Sequence, residues 1–214
     1  SFTLSAIPGL DDFNRLESDC STLNKLNLQG KKFVLFSGAP ATIRGSIMLL
    51  KAFELFAENE TTTDLVMLMR QDLSSDFTLF KQVLGEMKNR HRVIVSYEKL
   101  SPKQLKAFFE SAYVVALPFL LIPSEIPLTY FEVLSCGTPV ITFKNSGTTD
   151  YVKNATVIIS DRTPRALSSG LELICKNNQY RDYLAKQAKE LMKNHPSWKE
   201  FAKQWIKAID NLAV

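Results

Sequence analysis

The chain has 214 residues, 45% apolar and 22% charged, with a formal net charge of +4, enough for one large domain or two small ones around a well-buried core. The surplus suits an anionic ligand, but without an arginine-rich arm or a dense basic helix it does not mark a nucleic-acid binder. Three scattered cysteines (Cys20, Cys136, Cys175) and two isolated histidines (His91, His195) make neither a disulfide framework nor a zinc site, so a reducing, cytoplasmic setting is the default. No apolar run reaches the ~20 residues that cross a bilayer. The sequence opens at Ser1 without a methionine or a secretory segment, which suggests a piece of a longer protein.

In chain order, residues 1–32 are irregular and read as an interdomain segment. Phe33–Gly38 (FVLFSG) is a compact apolar run ending in small residues, a buried strand entering a turn. From Arg44 onward Leu49, Ala52, Phe53 and Phe56 fall at helical spacing. A second strand follows at Leu65–Met69, a polar helix at about Ser75–Asn89 and a third strand at Val93–Ser96. Ser101-Pro102-Lys103-Gln104 carries a capping box with proline at the first helical position, and Leu105, Phe108, Phe109 and Ala112 form the buried face behind it. Tyr113–Leu117, Pro139–Phe143 and Thr156–Ser160 are the remaining strands, with a helix containing Glu132 after the first of them. Thr163-Pro164 starts a helix buried through Leu167, Leu171 and Ile174. Another carries Tyr180, Leu184, Ala188 and Leu191. The last is capped by Ser197 and Glu200 and buries Phe201, Trp205 and Ala208.

Apolar strands alternating with helices imply an α/β fold: a Rossmann-like parallel sheet of about six strands with helices on both faces and helices at the C-terminus. The expected division is an interdomain segment (1–32), a Rossmann-like domain (33–195) and a C-terminal helix packing on it (196–214). Ligands of such sheets bind beyond the carboxyl ends of the strands. That singles out 38–44, 70–72, 97–100, 119–127 and 144–150.

In the first of these segments, Gly38-Ala39-Pro40-Ala41-Thr42-Ile43-Arg44-Gly45, small residues let backbone approach a ligand. A helix N-terminus and the Arg44 fork suit phosphate oxygens. A plain strand-to-helix turn with a solvated arginine is the blander account. It is neither a G-x-G-x-x-G nor a Walker loop. In the fourth, Pro127 belongs in the first helical turn, with Glu125 just before it and Glu132 about two turns in. Seven residues return to nearly the same helix face, so both carboxylates can look into the crevice and bracket a ligand. On spacing alone, a capping Glu125 and a solvated Glu132 are the more economical account.

Glu132-Val133-Leu134-Ser135-Cys136-Gly137-Thr138-Pro139-Val140 closely resembles the E-A-M-A-C-G-T-P-V signature of family 4 (group 1) retaining glycosyltransferases, nucleotide-sugar enzymes of two Rossmann-like domains. The likeness is collinear over most of the chain. Pro8–Asp11 resembles the interdomain P-N-G-V-D, Phe33–Phe53 the strand, G-R-L-x-x-x-K-G turn and helix, Gly147–Asp150 the loop ending in an acid, and Trp198–Trp205 the final helix. It covers the C-terminal, donor-binding half and implies that the acceptor-holding N-terminal half is missing.

The resemblance implies that Arg44 neutralises the donor diphosphate and that Glu132 accepts the ribose hydroxyls. Ser96 and Tyr97 would contact the base, and Gly38 and Ala39 would line the diphosphate. Leu128 and Thr129 would offer backbone N–H groups. Two departures stand out. Ala39 sits where the family has an arginine, and the family's first glutamate aligns with Ser124, one place before Glu125. Either Glu125 serves or Ser124 supplies a hydroxyl. Arg44 and Glu125 are the residues expected nearest the chemistry.

The function implied is transfer of a hexose, with retention, from a nucleoside-diphosphate sugar to a glycan or lipid-linked acceptor. It would proceed without metal or cofactor and with little turnover by this half alone. A non-catalytic nucleotide-sugar module and a nucleotide-sugar hydrolase or epimerase are the alternatives. Cys136 replaces a buried small residue rather than a nucleophile, and both histidines read as solvated. Membrane contact, if any, would come through the missing half.

Overall fold

The structure is a computed structural model and describes residues 9–10, 13–70, 75–122, 126–145 and 147–212. Helix α1 (Ser21–Lys25) precedes β1 (Phe33–Gly38), α2 (Ser46–Asn59), β2 (Asp64–Met69), α3 (Ser75–Glu86), β3 (Val93–Ser96), α4 (Pro102–Ser111) and β4 (Val114–Ala116). Then come α5 (Leu128–Ser135), β5 (Val140–Phe143), α6 (Thr148–Val152), β6 (Thr156–Ile159), α7 (Pro164–Lys176), α8 (Asn178–Lys193) and α9 (Trp198–Leu212). All neighbouring strands are parallel, in the order β3-β2-β1-β4-β5-β6.

The strands are continuously apolar because both faces of the sheet are covered. Val34, Phe36, Met67 and Met69 pack on one side against Leu49, Phe53 and Phe56 of α2 and Leu167, Leu171 and Ile174 of α7. Phe33, Leu35, Val66 and Leu68 pack on the other against Phe108 and Phe109 of α4 and Phe131 and Leu134 of α5. Burial of each such side chain contributes roughly 1.5–3 kcal/mol. Phe13, Leu23 and Leu28 join the second cluster, so part of the segment read as irregular belongs to this core.

Local signals set the helix starts. The Ser101 hydroxyl accepts from Gln104 N–H at 3.3 Å while the Gln104 amide oxygen accepts from Ser101 N–H at 2.9 Å. Thr163 Oγ1 accepts from Ala166 N–H at 3.2 Å. Ser197 N–H donates to Glu200 Oε2 at 2.8 Å, with Glu200 N–H returning to Ser197 Oγ at 3.2 Å.

Several expectations are corrected. Pro127 is not in the first turn of α5 but caps it, with ψ 134° in extended backbone. Glu132 is therefore the fifth residue of the helix, little more than one turn in. His195 is not solvated: its ring lies 4.2 Å from that of Phe131, and its Nδ1 is 3.1 Å from the Tyr151 hydroxyl. On α9, Ala208 is buried and Phe201 half-buried, but Trp205 is 40% exposed. The period of an amphipathic helix marks which residues share a face. It does not say how much of that face the domain covers.

The chain winds outward in opposite directions from β1 and β4, which are neighbours in the sheet. Their carboxyl ends mark the topological switch point of the sheet, the position where open α/β sheets form a ligand-binding crevice.

Candidate active site

The loop after β1 forms one wall of the crevice. Gly38 closes the strand opposite Met69, and Arg70 N–H donates to its carbonyl at 3.2 Å. A 3-10 turn spans Thr42–Arg44, and Gly45 follows at φ +77°. A Cβ on Gly45 would stand 2.0 Å from the Pro118 carbonyl oxygen. Glycine is required there twice over, for its backbone conformation and for its contact with the exit of β4. Gly38 is less constrained, since a Cβ there would meet only Phe36 Cζ, at 3.3 Å.

The exit of β4 forms the other wall and is bonded to the first. Leu120 and Leu121 N–H both donate to Ile43 O, at 2.9 and 3.3 Å. The half-buried Arg44 guanidinium lies 5.0 Å from the centroid of the buried Phe119 ring. Phe119 in turn meets Tyr130 edge-on at 5.9 Å. Thr142 Oγ1 donates to Leu117 O at 2.7 Å, so the Tyr130 hydroxyl, 2.6 Å away, donates to Thr142 Oγ1. The platform under Arg44 is therefore fixed from β5. Arg44 itself has no hydrogen bond or ion pair with the described residues.

The anion seat at the start of the 3-10 turn is partly taken. Thr42 N–H and Oγ1 donate to the two carboxylate oxygens of Asp76, at 2.9 and 2.7 Å. The Thr42 backbone bond, then its hydroxyl, hold the Asp76 carboxyl below its ordinary range. An incoming anion would find that amide occupied, and the Arg44 guanidinium is a charged donor on the same loop without a partner among the described residues.

Glu132 projects from α5, the helix behind the second wall. Its carboxyl is half-buried, burial pushes its pKa up, and no described residue bonds or pairs with it. An ionised carboxylate withdrawn from water with no protein donor is costly, which points to a donor supplied from outside the chain. Leu128, 42% exposed, and the half-buried Thr129 open the same helix; the next amide, Tyr130 N–H, is taken by Pro127 O at 3.0 Å, whereas the first two amides have no helical carbonyl before them. Ser124 and Glu125 lie outside the described residues. Ala39 is half-buried in the first loop.

Ser96 and Tyr97 end β3 on the same carboxyl edge, three strand spacings from β4, roughly 14 Å. Ser96 is buried and its hydroxyl accepts from Glu98 N–H at 3.4 Å. Tyr97 is half-buried, edge-on to Phe77 with ring centroids 5.7 Å apart, and burial raises its pKa. Cys136 is inert: burial pushes its thiol up to about 12. Among the described residues no three His, Cys, Asp or Glu side chains cluster to hold a metal. None of the helices searched there is long and apolar enough to cross a membrane.

Phe119, beneath Arg44, and Asn145 fall within the segments singled out from the sequence but are not named there, whereas Arg162, which with Asn145 bonds the loops behind Arg44, lies outside them. A hollow of about 530 Å³ exists at the opposite, amino edge of the sheet, lined by residues including Lys32, Tyr113 and Asn178. Three of its polar side chains are already engaged. Lys32 Nζ donates to Cys175 O at 2.6 Å and Tyr113 Oη to Asn178 Oδ1 at 2.6 Å. Arg44 and Glu132 lie instead toward the carboxyl side of the sheet, on the loop after β1 and the helix after β4.

The switch point between β1 and β4, with a half-buried arginine on the loop after β1 and a half-buried glutamate on the helix after β4, places the chain in the class of open, Rossmann-like α/β domains. The glycosyl transferases group 1 family model matches residues 22–191, and the chain belongs to that family. It is 20% identical over 194 residues to spore coat protein SA of Bacillus subtilis, covering 87% of this chain and 51% of that protein. Over 178 residues it is 22% identical to an uncharacterised glycosyltransferase of Methanocaldococcus jannaschii, covering 82% of this chain and 44% of that one. The chain thus spans about half the length of the curated relatives it matches. The sucrose-phosphate synthase of Thermosynechococcus elongatus shares the fold, with a TM-score of 0.77 and 20% identity over 96% of this chain and 52% of that one.

Proposed function

We propose that this chain is the donor-binding half of a retaining hexosyltransferase and holds a nucleoside-diphosphate sugar in the crevice between the loops after β1 and β4. The observation that supports the reading is the pair of half-buried ionisable groups of opposite sign with no hydrogen bond or ion pair among the described residues, Arg44 on the loop after β1 and Glu132 on the helix after β4. Arg44 meets the diphosphate. Glu132 accepts hydrogen bonds from the ribose hydroxyls. Tyr97 and the end of β3 face the base, and the first turn of α5 supplies amides to the sugar end, with Ser124 or Glu125 beside it. Gly38 and Ala39 line the diphosphate from the end of β1.

The chemistry asked of this half is stabilisation of a leaving group. As the glycosidic bond to the diphosphate breaks, negative charge grows on the phosphate oxygens. A guanidinium already stacked on Phe119 is oriented before that charge appears and costs no reorganisation when it does. The acceptor, a glycan or lipid-linked sugar, would be held by a further half of the protein.

A second reading, a module that binds the donor without transferring it, is favoured by Asp76, which places a fixed negative charge on the first amide of the phosphate-facing turn. The test of the principal reading is a thermal-shift screen of the 214-residue chain against UDP, GDP, ADP and their sugars. One of these should raise the unfolding midpoint progressively with concentration, and a flat response to all of them sinks the reading. Sugar transfer or donor hydrolysis by the full-length protein separates the enzyme from the module.

A further inference from the structure

Arg162 lies in the turn between β6 and α7, two strands away from the crevice wall, yet its guanidinium reaches the backbone of that wall. Nη1 donates to Leu120 O at 2.9 Å, and Nη2 donates to Lys144 O at 3.0 Å and to Asn145 Oδ1 at 3.2 Å. Asn145 Nδ2 continues inward, donating to Phe119 O at 3.2 Å and Phe143 O at 2.9 Å. Leu120 N–H donates to Ile43 O in the first loop. One residue, Leu120, is therefore held from both sides, from the loop after β1 through its N–H and from Arg162 through its C=O.

This arrangement is more than surface trim. Residues 117–122 have no regular secondary structure, so nothing in a helix or ladder satisfies their carbonyls. The planar fork of arginine can bond acceptors on two separate loops at once, and a lysine ammonium cannot reproduce that geometry. The charged donor also makes each of these bonds stronger than a neutral one. The segment held in this way carries Phe119, the ring on which Arg44 rests, and leads into the first turn of α5.

We propose that Arg162 is a positioning residue: through Leu120 and Asn145 it fixes the loop after β4 against the loop after β1, and so sets the grip on the diphosphate-sugar end of a nucleotide sugar while leaving the nucleoside end untouched. The inference rests on the nucleotide-sugar reading of the crevice.

The experiment compares the wild-type chain with Arg162→Ala and Arg162→Lys. Calorimetric titrations use UDP-glucose, GDP-mannose and ADP-glucose alongside UMP, GMP and AMP, with hydrogen exchange followed at Leu120 and Leu121. For whichever base the wild type accepts, Arg162→Ala should weaken the sugar nucleotide by about tenfold, the scale of one lost charge-assisted bond. The monophosphate should stay within about twofold, inside the margin of a surface substitution. Exchange at Leu120 and Leu121 should rise in the same variant. Arg162→Lys should behave like the alanine variant.

Equal loss for both nucleotides, no loss for either, unchanged exchange, or full rescue by lysine each overturns the clamp while leaving the nucleotide-sugar reading standing. A wild type that binds none of the six probes overturns that reading, and the grip assigned here falls with it.

Discussion

The guanidinium of Arg44 and the ring of Phe119 lie 5.0 Å apart across the two loops that open at the sheet's switch point. Exposed cation–π contacts contribute about 0.5–1 kcal/mol, so this one does little for the fold. Its value is orientation, because it holds a cation with no protein counter-ion among the described residues on the wall of the crevice. Arg44→Ala should leave the melting temperature nearly unchanged yet weaken nucleoside-diphosphate binding by about 1.5–3 kcal/mol, the range for a lost hydrogen bond to a charged group. Phe119→Leu, which keeps the charge and releases its orientation, should cost less. Calorimetry with UDP, GDP and ADP reads both. An Arg44→Ala chain that binds as tightly as the wild type would remove the diphosphate from this wall.

Gly45 tests whether the two walls must touch. At φ +77° a side chain costs about 1–2 kcal/mol in backbone conformation alone, and the added Cβ would press on the Pro118 carbonyl at 2.0 Å. Gly45→Ala should therefore destabilise by more than that backbone cost, in an equilibrium urea melt. It should also loosen the bonds from Leu120 and Leu121 to Ile43, visible as faster exchange of those two amides. Gly38→Ala, whose Cβ would meet the edge of the buried Phe36 ring at 3.3 Å and no backbone atom, should cost less. If the two substitutions cost the same, the contact between the walls is not what requires glycine.

The legible parts of this protein are the ones whose causes lie within a few residues. The boxes at Ser101/Gln104 and Ser197/Glu200 need only an i, i+3 spacing. The runs at Phe33–Phe36 and Val140–Phe143 announce strands covered on both faces. Pro127 misleads because its φ of −62° suits both a first helical turn and an extended cap, and only ψ separates them. The relationships that build the site join distant residues: Asp76 to Thr42 across 34 positions and Arg162 to Leu120 across 42. A periodicity argument has no access to such pairs. The setting of His195 is hidden from the sequence for the same reason, since its partners Phe131 and Tyr151 come from elsewhere in the chain. The glutamate before the Cys-Gly-Thr-Pro segment stands out in the sequence because a family signature surrounds it; that its half-buried carboxyl lacks a hydrogen bond or ion pair among the described residues is visible only in three dimensions.

Arg92 offers a stability change remote from the crevice. Buried at the amino edge of β3, it donates to Glu60 O at 2.5 Å and Ala57 O at 3.3 Å, at the C-terminus of α2, and to Thr63 O before β2. It also pairs with Glu60 Oε2 at 3.4 Å. Burial alone would raise the Glu60 carboxyl, but the hydrogen bonds from Thr62 and Thr63 outweigh it and hold the pKa down to about 2. Arg92→Met keeps the stem and strips the fork, leaving three carbonyls and a carboxylate short of donors. The expected loss is about 3 kcal/mol or more, with nucleotide affinity unchanged in the folded fraction. Because the Glu60 pKa is depressed in the native state, its stabilising share is present above the ordinary 4.5 and disappears as the pH falls toward about 2. An acid titration of Glu60→Gln should therefore lack that part of the wild-type slope.

Glu132 runs in the opposite sense, because burial raises its native pKa above the ordinary 4.5. Below 4.5 the carboxyl is neutral in both folded and unfolded chains. As the pH climbs, the unfolded chain ionises first. Stability is lost between 4.5 and the raised native value, and the deficit persists at neutral pH. Glu132→Gln removes the ionisation and keeps the shape, so at pH 7 it should melt at a higher temperature than the wild type. Nucleotide binding should move the other way. The neutral amide offers ribose hydroxyls a weaker acceptor than a carboxylate, a loss of about 1–3 kcal/mol. Wild-type affinity should also fall on acidification through the raised pKa while the glutamine variant stays flat. Such a trade of stability for affinity is expected of a charge kept in a half-buried place for a ligand. A Glu132→Gln chain that melts lower at pH 7 and binds UDP, GDP or ADP no more weakly than the wild type would mean the carboxylate serves the fold instead.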